Sequence, residues 1–453
     1  MKKYRFLSLL LFFAILLPYS TCAMALEDPA PECTAALVVD ATYNEILYEM
    51  NAHEKRYPAS LTKVMTALLA LEAVDQGKLA LDDIITAPAG IHNGLPADGS
   101  TQNIKSGEEM SLENLLYCIL LPSANEACNV VAHAVSGSIE AFVALMNERA
   151  AEMGMTGTHF VNTHGLHDDN HYTTAWDVYL MCCEAMKNAT FREIVATAHY
   201  FVPPTNVSEQ REFYNTNALL SNLKYSGYVY RPAIGIKTGS TSQAGYCLAS
   251  AAEQDDRTLY CVVMGAELVK QPDESYKRMS FSESSRLLKW GFDQFSYRTI
   301  LETSEPLAQL EVTLSDTDHV LVRADGSLSA LLPKDLDLSE FEQEIELYSE
   351  SVEAPVSEGQ ILGQLNLTLD GEDYGSLSLV ALNDVERSDL LYYIDRTEKF
   401  IAQTWVKVAA VAFVLFVIFL IILIRSHSKR KRRRRRSSYS GGSYGGYSGR
   451  RRR

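Results

Sequence analysis

Apolar positions along the chain fall into three textures. At 35–40 and 45–49, short apolar runs flank Thr42-Tyr43-Asn44, the pattern of two strands joined by a turn. From 61 to 76 the spacing becomes helical, with Val64, Met65, Leu68, Leu69 and Leu71 as apolar positions. Further helices are predicted at about 111–121, 125–135, 139–153 and 174–187. Strand patterning returns at 231–237, 245–251 and 258–265, and a helix over 282–295 closes the segment. Strands at both ends with helices between them predict one α/β domain, a helical subdomain inserted into a largely antiparallel sheet.

The texture changes from Leu307 to Asn383. Leu310/Val312/Leu314, Val320/Val322, Ile345/Leu347, Leu365/Leu367/Leu369 and Leu377/Leu379 alternate with polar neighbours, and turns are expected at Ala324-Asp325-Gly326 and Asp370-Gly371-Glu372. This pattern predicts a small, separate all-β domain, and its expected role is a spacer or interaction module. The third texture is unbroken apolar sequence from Val408 to Ile424, preceded by Trp405 and Lys407. With its flanks it has the length of one spanning helix, and no polar face argues for a soluble core helix.

The ends refine this picture. Residues 1–25 run from Lys2, Lys3 and Arg5 through an apolar stretch to Ala23-Met24-Ala25, the form of a secretory signal peptide. The rival reading, an uncleaved anchor, suits the short stretch and Pro18 less well. After the spanning segment come Arg425, the basic run Lys429 to Arg436, a Gly/Ser/Tyr stretch expected to be disordered, and Arg450 to Arg453. Positive charge stays on the cytoplasmic side, so the tail is expected inside and the preceding chain outside. Beside a membrane such a run is expected to meet anionic lipid head groups rather than nucleic acid.

Net charge is −16, although residues 425–453 carry 13 positive charges and residues 1–25 three more, with no acids in either. The intervening chain therefore carries −32, which argues against a nucleic-acid partner. Seven cysteines remain beyond Cys22: Cys33, Cys118, Cys128, Cys182, Cys183, Cys247 and Cys261. Export permits disulfides. Cys247 and Cys261 flank an expected turn at 254–257, so they are candidates to face one another, with buried free thiols as the alternative. No Cys/His cluster has metal spacing, so neither a metal nor another cofactor is expected.

Three short motifs carry the candidate chemistry: Ser60-Leu61-Thr62-Lys63, Ser123-Ala124-Asn125 and Lys237-Thr238-Gly239. S-x-x-K also occurs at Ser221/Lys224 and Ser426/Lys429, so one match means little. The ordered trio, the first at a helix start and the last on a strand, is specific. Each motif has a bland reading: Ser60 as a helix cap, Ser123-Ala124-Asn125 as another cap, Lys237 as a strand-end lysine. All three holding together in this order is not credible.

A spacing of three puts Ser60 and Lys63 within mutual reach. A serine hydroxyl needs an adjacent base, and Lys63 serves only if neutral, through burial and a nearby cation, for which Lys237 is the candidate. Ser123 is expected to relay a proton from Lys63 to the leaving nitrogen, and Asn125 to bind the substrate amide. Lys237 and Thr238 are expected to hold a terminal carboxylate. Gly239 is expected to let substrate lie against the strand, and the amides of Ser60 and Ser240 to form an oxyanion hole.

At these residues the chain resembles the D-Ala-D-Ala carboxypeptidases, the low-molecular-mass penicillin-binding proteins. Pro58-Ala59-Ser60-Leu61-Thr62-Lys63-Val64-Met65-Thr66 is similar to that family's nucleophile segment. Asn162-Thr163-His164-Gly165-Leu166 with His171-Tyr172-Thr173-Thr174-Ala175 resembles its middle loop, and Gly235 to Thr241 with Ala244-Gly245-Tyr246 its binding strand. Ala124 and Glu126 depart from the Gly and Asp often found there.

The resemblance implies a β-lactamase/transpeptidase-like domain over 30–300, with 305–385 as the family's trailing β domain. A juxtamembrane segment at 386–404, a spanning helix at 405–425 in place of the amphipathic helix of many members, and a basic tail at 426–453 complete the expected order. It further implies release of the terminal D-Ala from peptidoglycan pentapeptides through an acyl-enzyme on Ser60, and binding of β-lactams. An endopeptidase acting on crosslinks, or a catalytically silent β-lactam or wall sensor, are the rivals. A β-lactamase fits less well, for want of a glutamate in a deacylating setting. His164 is expected to be structural rather than a general base. Oligomeric state is not legible.

Overall fold

The computed structural model describes residues 28–437 apart from Asp98 and Ser304, with the side chains of 429–437 outside it. The segment expected to be a signal peptide, and the Gly/Ser/Tyr and terminal Arg stretches, therefore lie outside the described residues. The chain divides into two compact units, one reaching Arg298 and including Leu331–Asp337, the other Thr299–Ala330 with the chain from Leu338 onward.

The first unit is built on a five-stranded antiparallel sheet. Strands β1 (Ala35–Asp40) and β2 (Glu45–Met50) come first, and β3 (Ala233–Thr241), β4 (Gly245–Gln254) and β5 (Arg257–Ala266) follow the helices, in spatial order β2-β1-β5-β4-β3. Between β2 and β3 lie helices α1 (Lys63–Asp75), α2 (Leu112–Leu120), α3 (Asn125–Ser136), α4 (Ile139–Glu152), α5 (Ala175–Ala185) and α6 (Ala189–Ala196). Helix α7 (Met279–Gln294) follows β5.

All six residues of β1 are buried because both sheet faces are covered. Side chains alternate between the faces: Ala35, Leu37 and Val39 join the core around α1, while Ala36 and Val38 join Leu287, Leu288 and Phe292 of α7. Helix α1 is buried almost all round, which explains its apolar run from Ala67 to Leu71. Arg257 and Asp40 pin sheet to helix: Arg257 Nε donates to Asp40 Oδ2 at 2.7 Å, and its guanidinium also donates to the carbonyls of Phe295 and Gly291.

The expected turn at 254–257 is present, tightened by Asp255 (φ 52°) and Asp256 (φ 59°). It does not bring Cys247 and Cys261 together. Its register pairs Cys261 with Ser250, and the two thiols point to opposite faces of the sheet. All seven described cysteines are free thiols.

The second unit contains a six-stranded sheet. Its strands are β6 (Ala308–Thr313), β7 (His319–Ala324), β8 (Glu342–Leu347), β9 (Ser351–Glu353), β10 (Ile361–Leu369) and β11 (Glu372–Ala381), ordered β8-β10-β11-β7-β6-β9. Leu310, Val312, Val320, Val322, Leu365, Leu367 and Leu379 form its core, as alternation predicts. Leu314 instead leaves the strand with φ 63°, and Ile345 is exposed.

Helix α8 (Asp389–Ala402) exposes Leu390, Ile394 and Ile401. Helix α9 (Thr404–Ser437) follows, and Thr404–Ser428 within it is long and apolar enough to cross a membrane. The helix continues twelve residues past the expected end at 425. Lys and Arg are good helix formers and favour the negative end of the helix dipole.

Candidate active site

Ser60 does not open a regular α-helix. It sits in a 3-10 turn, Ala59–Thr62, that leads into α1. Ala59 takes φ 47°, and the Thr62 hydroxyl donates to its carbonyl at 2.9 Å. His171 Nδ1 accepts from the Val161 amide at 3.1 Å, so Nε2 carries the proton and donates to Thr62 Oγ1 at 2.8 Å. Burial pushes His171 down to about 4, so this support is neutral.

Lys63 Nζ is fully buried and lies 2.9 Å from Ser60 Oγ, 2.8 Å from Asn125 Oδ1 and 2.8 Å from the His164 carbonyl. Two of these partners only accept. A neutral amine therefore gives both its protons to Asn125 and His164 and turns its lone pair toward the Ser60 hydroxyl. Burial lowers Lys63 from 10.5 to about 8, while the negative character of Cys128 and Glu126 opposes the shift. The depression comes from burial, not from the second cation the sequence reading invoked. Lys237 is itself held well below its ordinary value, by burial first and then by Lys63.

The middle loop supplies that carbonyl. Asn162 Oδ1 accepts from the amides of His164 and Gly165, and its Nδ2 donates to the Leu166 carbonyl. Thr66 of α1 donates to the Thr163 carbonyl at 2.6 Å. Gly165 is indispensable: with φ 87°, a Cβ there would fall 1.8 Å from the Ala59 carbonyl oxygen. His164 is driven to about 3 by burial and Lys63, and its Nδ1 accepts from the Leu166 amide. Its imidazole is structural, while its backbone carbonyl orients Lys63.

Edge strand β3 runs past this turn. A Cβ on Gly239 would lie 2.9 Å from the Pro58 carbonyl and 3.0 Å from the Ser60 nitrogen. The missing side chain thus serves the approach of strand to nucleophile, rather than only room for substrate as the sequence reading had it. Thr238 Oγ1 donates to Thr216 Oγ1 at 2.7 Å. Lys237 is 1% exposed and donates to the Thr238 carbonyl.

Ser60, Ser123, Thr238, Gly239 and Ser240 line a cavity of about 150 Å³. Ser123, with φ 70°, reaches it with a buried hydroxyl that has no partner among the described residues, so the expected bridge to Lys63 is not formed. Two basic residues outside the sequence trio are among those that also line it, Lys224 and Arg278. Neither has a carboxylate partner among the described residues. Arg278 stacks over Tyr225 at 4.1 Å. Lys224 stood in a chance S-x-x-K match, and nothing in the spacing marked either residue.

A lysine-served serine beside an edge strand, between a sheet and a helical subdomain, defines a class of acyl-transferring serine hydrolases. The comparisons narrow the class. Residues 23–268 match the family model described as D-alanyl-D-alanine carboxypeptidase, and residues 295–387 match that of the penicillin-binding protein 5 C-terminal domain. D-alanyl-D-alanine carboxypeptidase DacF of Bacillus subtilis is 29% identical over 87% of this chain and 97% of its own length. DacA of Haemophilus influenzae is 31% identical over 78% and 86%. The crystal structure of penicillin-binding protein 5 from Haemophilus influenzae superposes with a TM-score of 0.57 at 28% identity, covering 80% of this chain and all of that one. The chain belongs to the D-alanyl-D-alanine carboxypeptidase family of serine peptidases.

Proposed function

We propose that this protein is a serine D-Ala-D-Ala carboxypeptidase that removes the terminal D-Ala of peptidoglycan pentapeptides and is acylated by β-lactams. The observation that carries the reading is Lys63 Nζ, sealed from water, with two carbonyl acceptors and the Ser60 hydroxyl 2.9 Å away. Lys63 takes the Ser60 proton as Oγ attacks the penultimate D-Ala carbonyl. The amides of Ser60 and Ser240 stabilise the oxyanion, each such donor being worth about 3 kcal/mol in a transition state. Ser123, whose hydroxyl is unengaged by the described protein, passes the proton to the leaving D-Ala nitrogen. Asn125 holds Lys63 and the substrate amide. The leaving carboxylate rests against Thr238, Lys224 and Arg278, with the Lys237 chain supporting the strand beneath. Water then hydrolyses the ester, and D-Ala and a shortened peptide leave.

In this reading the apolar helix anchors the enzyme in a membrane with the catalytic unit on the outer side, which the length and hydropathy of Thr404–Ser428 support. The same reading puts the basic residues after it in the cytoplasm against anionic lipid, supported by the bias of Lys and Arg. Full-length protein in detergent, given a pentapeptide ending in D-Ala-D-Ala, is expected to release one D-Ala per peptide. The Ser60→Ala variant is expected to release none. A stable penicillin adduct without D-Ala release would point to a sensor, and rapid penicillin turnover to a β-lactamase. Either result removes this reading.

A further inference from the structure

Helix α3 begins without a side-chain cap. Ala124 stands at its N-cap position and has no side-chain oxygen to offer, so the Asn125 amide donates instead to the Ser100 carbonyl at 2.9 Å. Ser100 lines the catalytic cavity. The backbone before it lies against the Asn125 side chain, since a Cβ on Gly99 would fall 3.1 Å from Asn125 Nδ2. Loop 99–104 thus packs on the residue whose Oδ1 accepts from Lys63.

A buried acid holds this loop down. Glu126, beside Asn125 in the first turn of α3, is fully buried. Its Oε1 accepts from the Thr101 hydroxyl at 2.8 Å, the Gln102 amide at 2.6 Å and the Ile104 amide at 3.4 Å. Thr101 Oγ1 in turn accepts from the Asn103 amide at 2.9 Å. Residues 101–104 are all tied, directly or through that hydroxyl, to one carboxylate oxygen. Arg211 gives the loop a second anchor: it donates to the Gln102 carbonyl at 3.1 Å and pairs with Glu108 at 2.7 Å.

An amide oxygen accepts the same three hydrogen bonds, so the clamp alone does not require an ion. The other carboxylate oxygen, Oε2, is buried with no partner among the described residues, and such a burial of charge is costly. Its charge acts on Lys63, where it favours the protonated amine. The other titratable groups around Lys63 are Cys128 of α3, Lys237 of β3, and His164 and His171 of the middle loop. Burial pushes Cys128 up to about 12 and the imidazoles down to about 3 and about 4, so near pH 8 these three are neutral. Lys237 is basic and held low. Glu126 is the acid in this group.

We propose that Glu126 is a positioning residue for acylation. It clamps loop 99–104 onto the start of α3, which fixes Asn125 against Lys63. Its charge steadies the ammonium that forms when Lys63 takes the Ser60 proton. The inference rests on the reading of Lys63 as the base for Ser60.

The test is stopped-flow acylation of the full-length protein in detergent by a chromogenic cephalosporin, from pH 5 to 10. The wild-type rate is expected to rise through about pH 8. Glu126→Gln keeps the clamp and removes the charge. Its midpoint is expected at least about half a unit lower, because the ammonium loses a favourable neighbour, with the plateau reduced by less than about tenfold. Glu126→Ala loses both, and its plateau is expected about 100-fold or more below wild type. A residue that only stabilised the fold would lower the urea midpoint of both variants and leave their acylation profiles unchanged. An unchanged pH midpoint in Glu126→Gln would overturn the proposal even if Glu126→Ala failed to fold. So would a Glu126→Ala plateau equal to that of Glu126→Gln. No acylation of the wild-type protein at any pH would instead overturn the reading of Ser60 and Lys63, and the proposal with it.

Discussion

At the scale of single residues, everything turns on the environment of one amine. Transfer of the serine proton needs neutral Lys63, and burial brings its titration from 10.5 to about 8. The acylation rate should therefore climb with pH up to about 8 and level off above it, whereas a solvated lysine would put the rise near 10.5. Stopped-flow acylation by a chromogenic cephalosporin between pH 5 and 10 checks this. Lys63→Met should slow acylation by about 10²–10⁴-fold. The pairing of Ser60 with Lys63 was legible, because three residues of spacing bring two side chains onto one helical face. The third partner of Lys63 was not: it is the backbone carbonyl of His164, which no side-chain identity encodes. Lys224 and Arg278 were equally hidden, since the segments that carry them have no periodicity to mark an approach to Ser60.

At the scale of elements, the site depends on close approaches that only glycine permits. Gly165→Ala would drive a Cβ into the Ala59 carbonyl and move the loop that holds Lys63. The expected loss in acylation rate is about 100-fold or more, the usual result of an ångström of misplacement. Gly137 has a similar φ, 79°, at the end of α3, yet a Cβ there meets nothing within 4 Å. Gly137→Ala should lower stability by about 1–2 kcal/mol and leave the acylation rate near wild type. Paired urea-unfolding and acylation measurements separate the two effects.

Arg257→Met strands the fully buried Asp40 carboxylate and should cost about 3–5 kcal/mol in the same unfolding assay. Most helices of this unit and the strands of its five-stranded sheet were legible from periodicity and turn chemistry, whereas short strand pairs such as Ile84–Thr86 with Glu109–Ser111 and His199–Val202 with Arg211–Tyr214 are too brief to show a period. Helix α6 escaped, being eight residues long with only Phe191, Ile194 and Val195 buried. Of the two readings open for Cys247 and Cys261, the structure has the buried free thiols rather than the facing pair, because proximity to one turn says nothing of register. In an antiparallel pair, register decides both the partner and the face.

At the scale of the whole molecule, composition announced a chain of contrasting parts: an acidic body, an apolar helix and a basic end. The apolar stretch was read correctly as a helix. Its continuation to Ser437 was missed because the basic run was judged by charge rather than by helix propensity. Full-length protein should resist extraction from membranes by alkaline carbonate, and a chain ending at Gln403 should be released into the supernatant. Retention of the shortened chain would shift the anchoring to α8, which exposes Leu390, Ile394 and Ile401.

The most direct test of the whole scheme is peptide mass spectrometry of the full-length protein quenched in acid seconds after mixing with penicillin. The expected result is a penicilloyl mass on the peptide containing Ser60, absent from Ser60→Ala and forming far more slowly in Lys63→Met. An adduct on any other residue, or one that forms at the wild-type rate without the lysine, would contradict it.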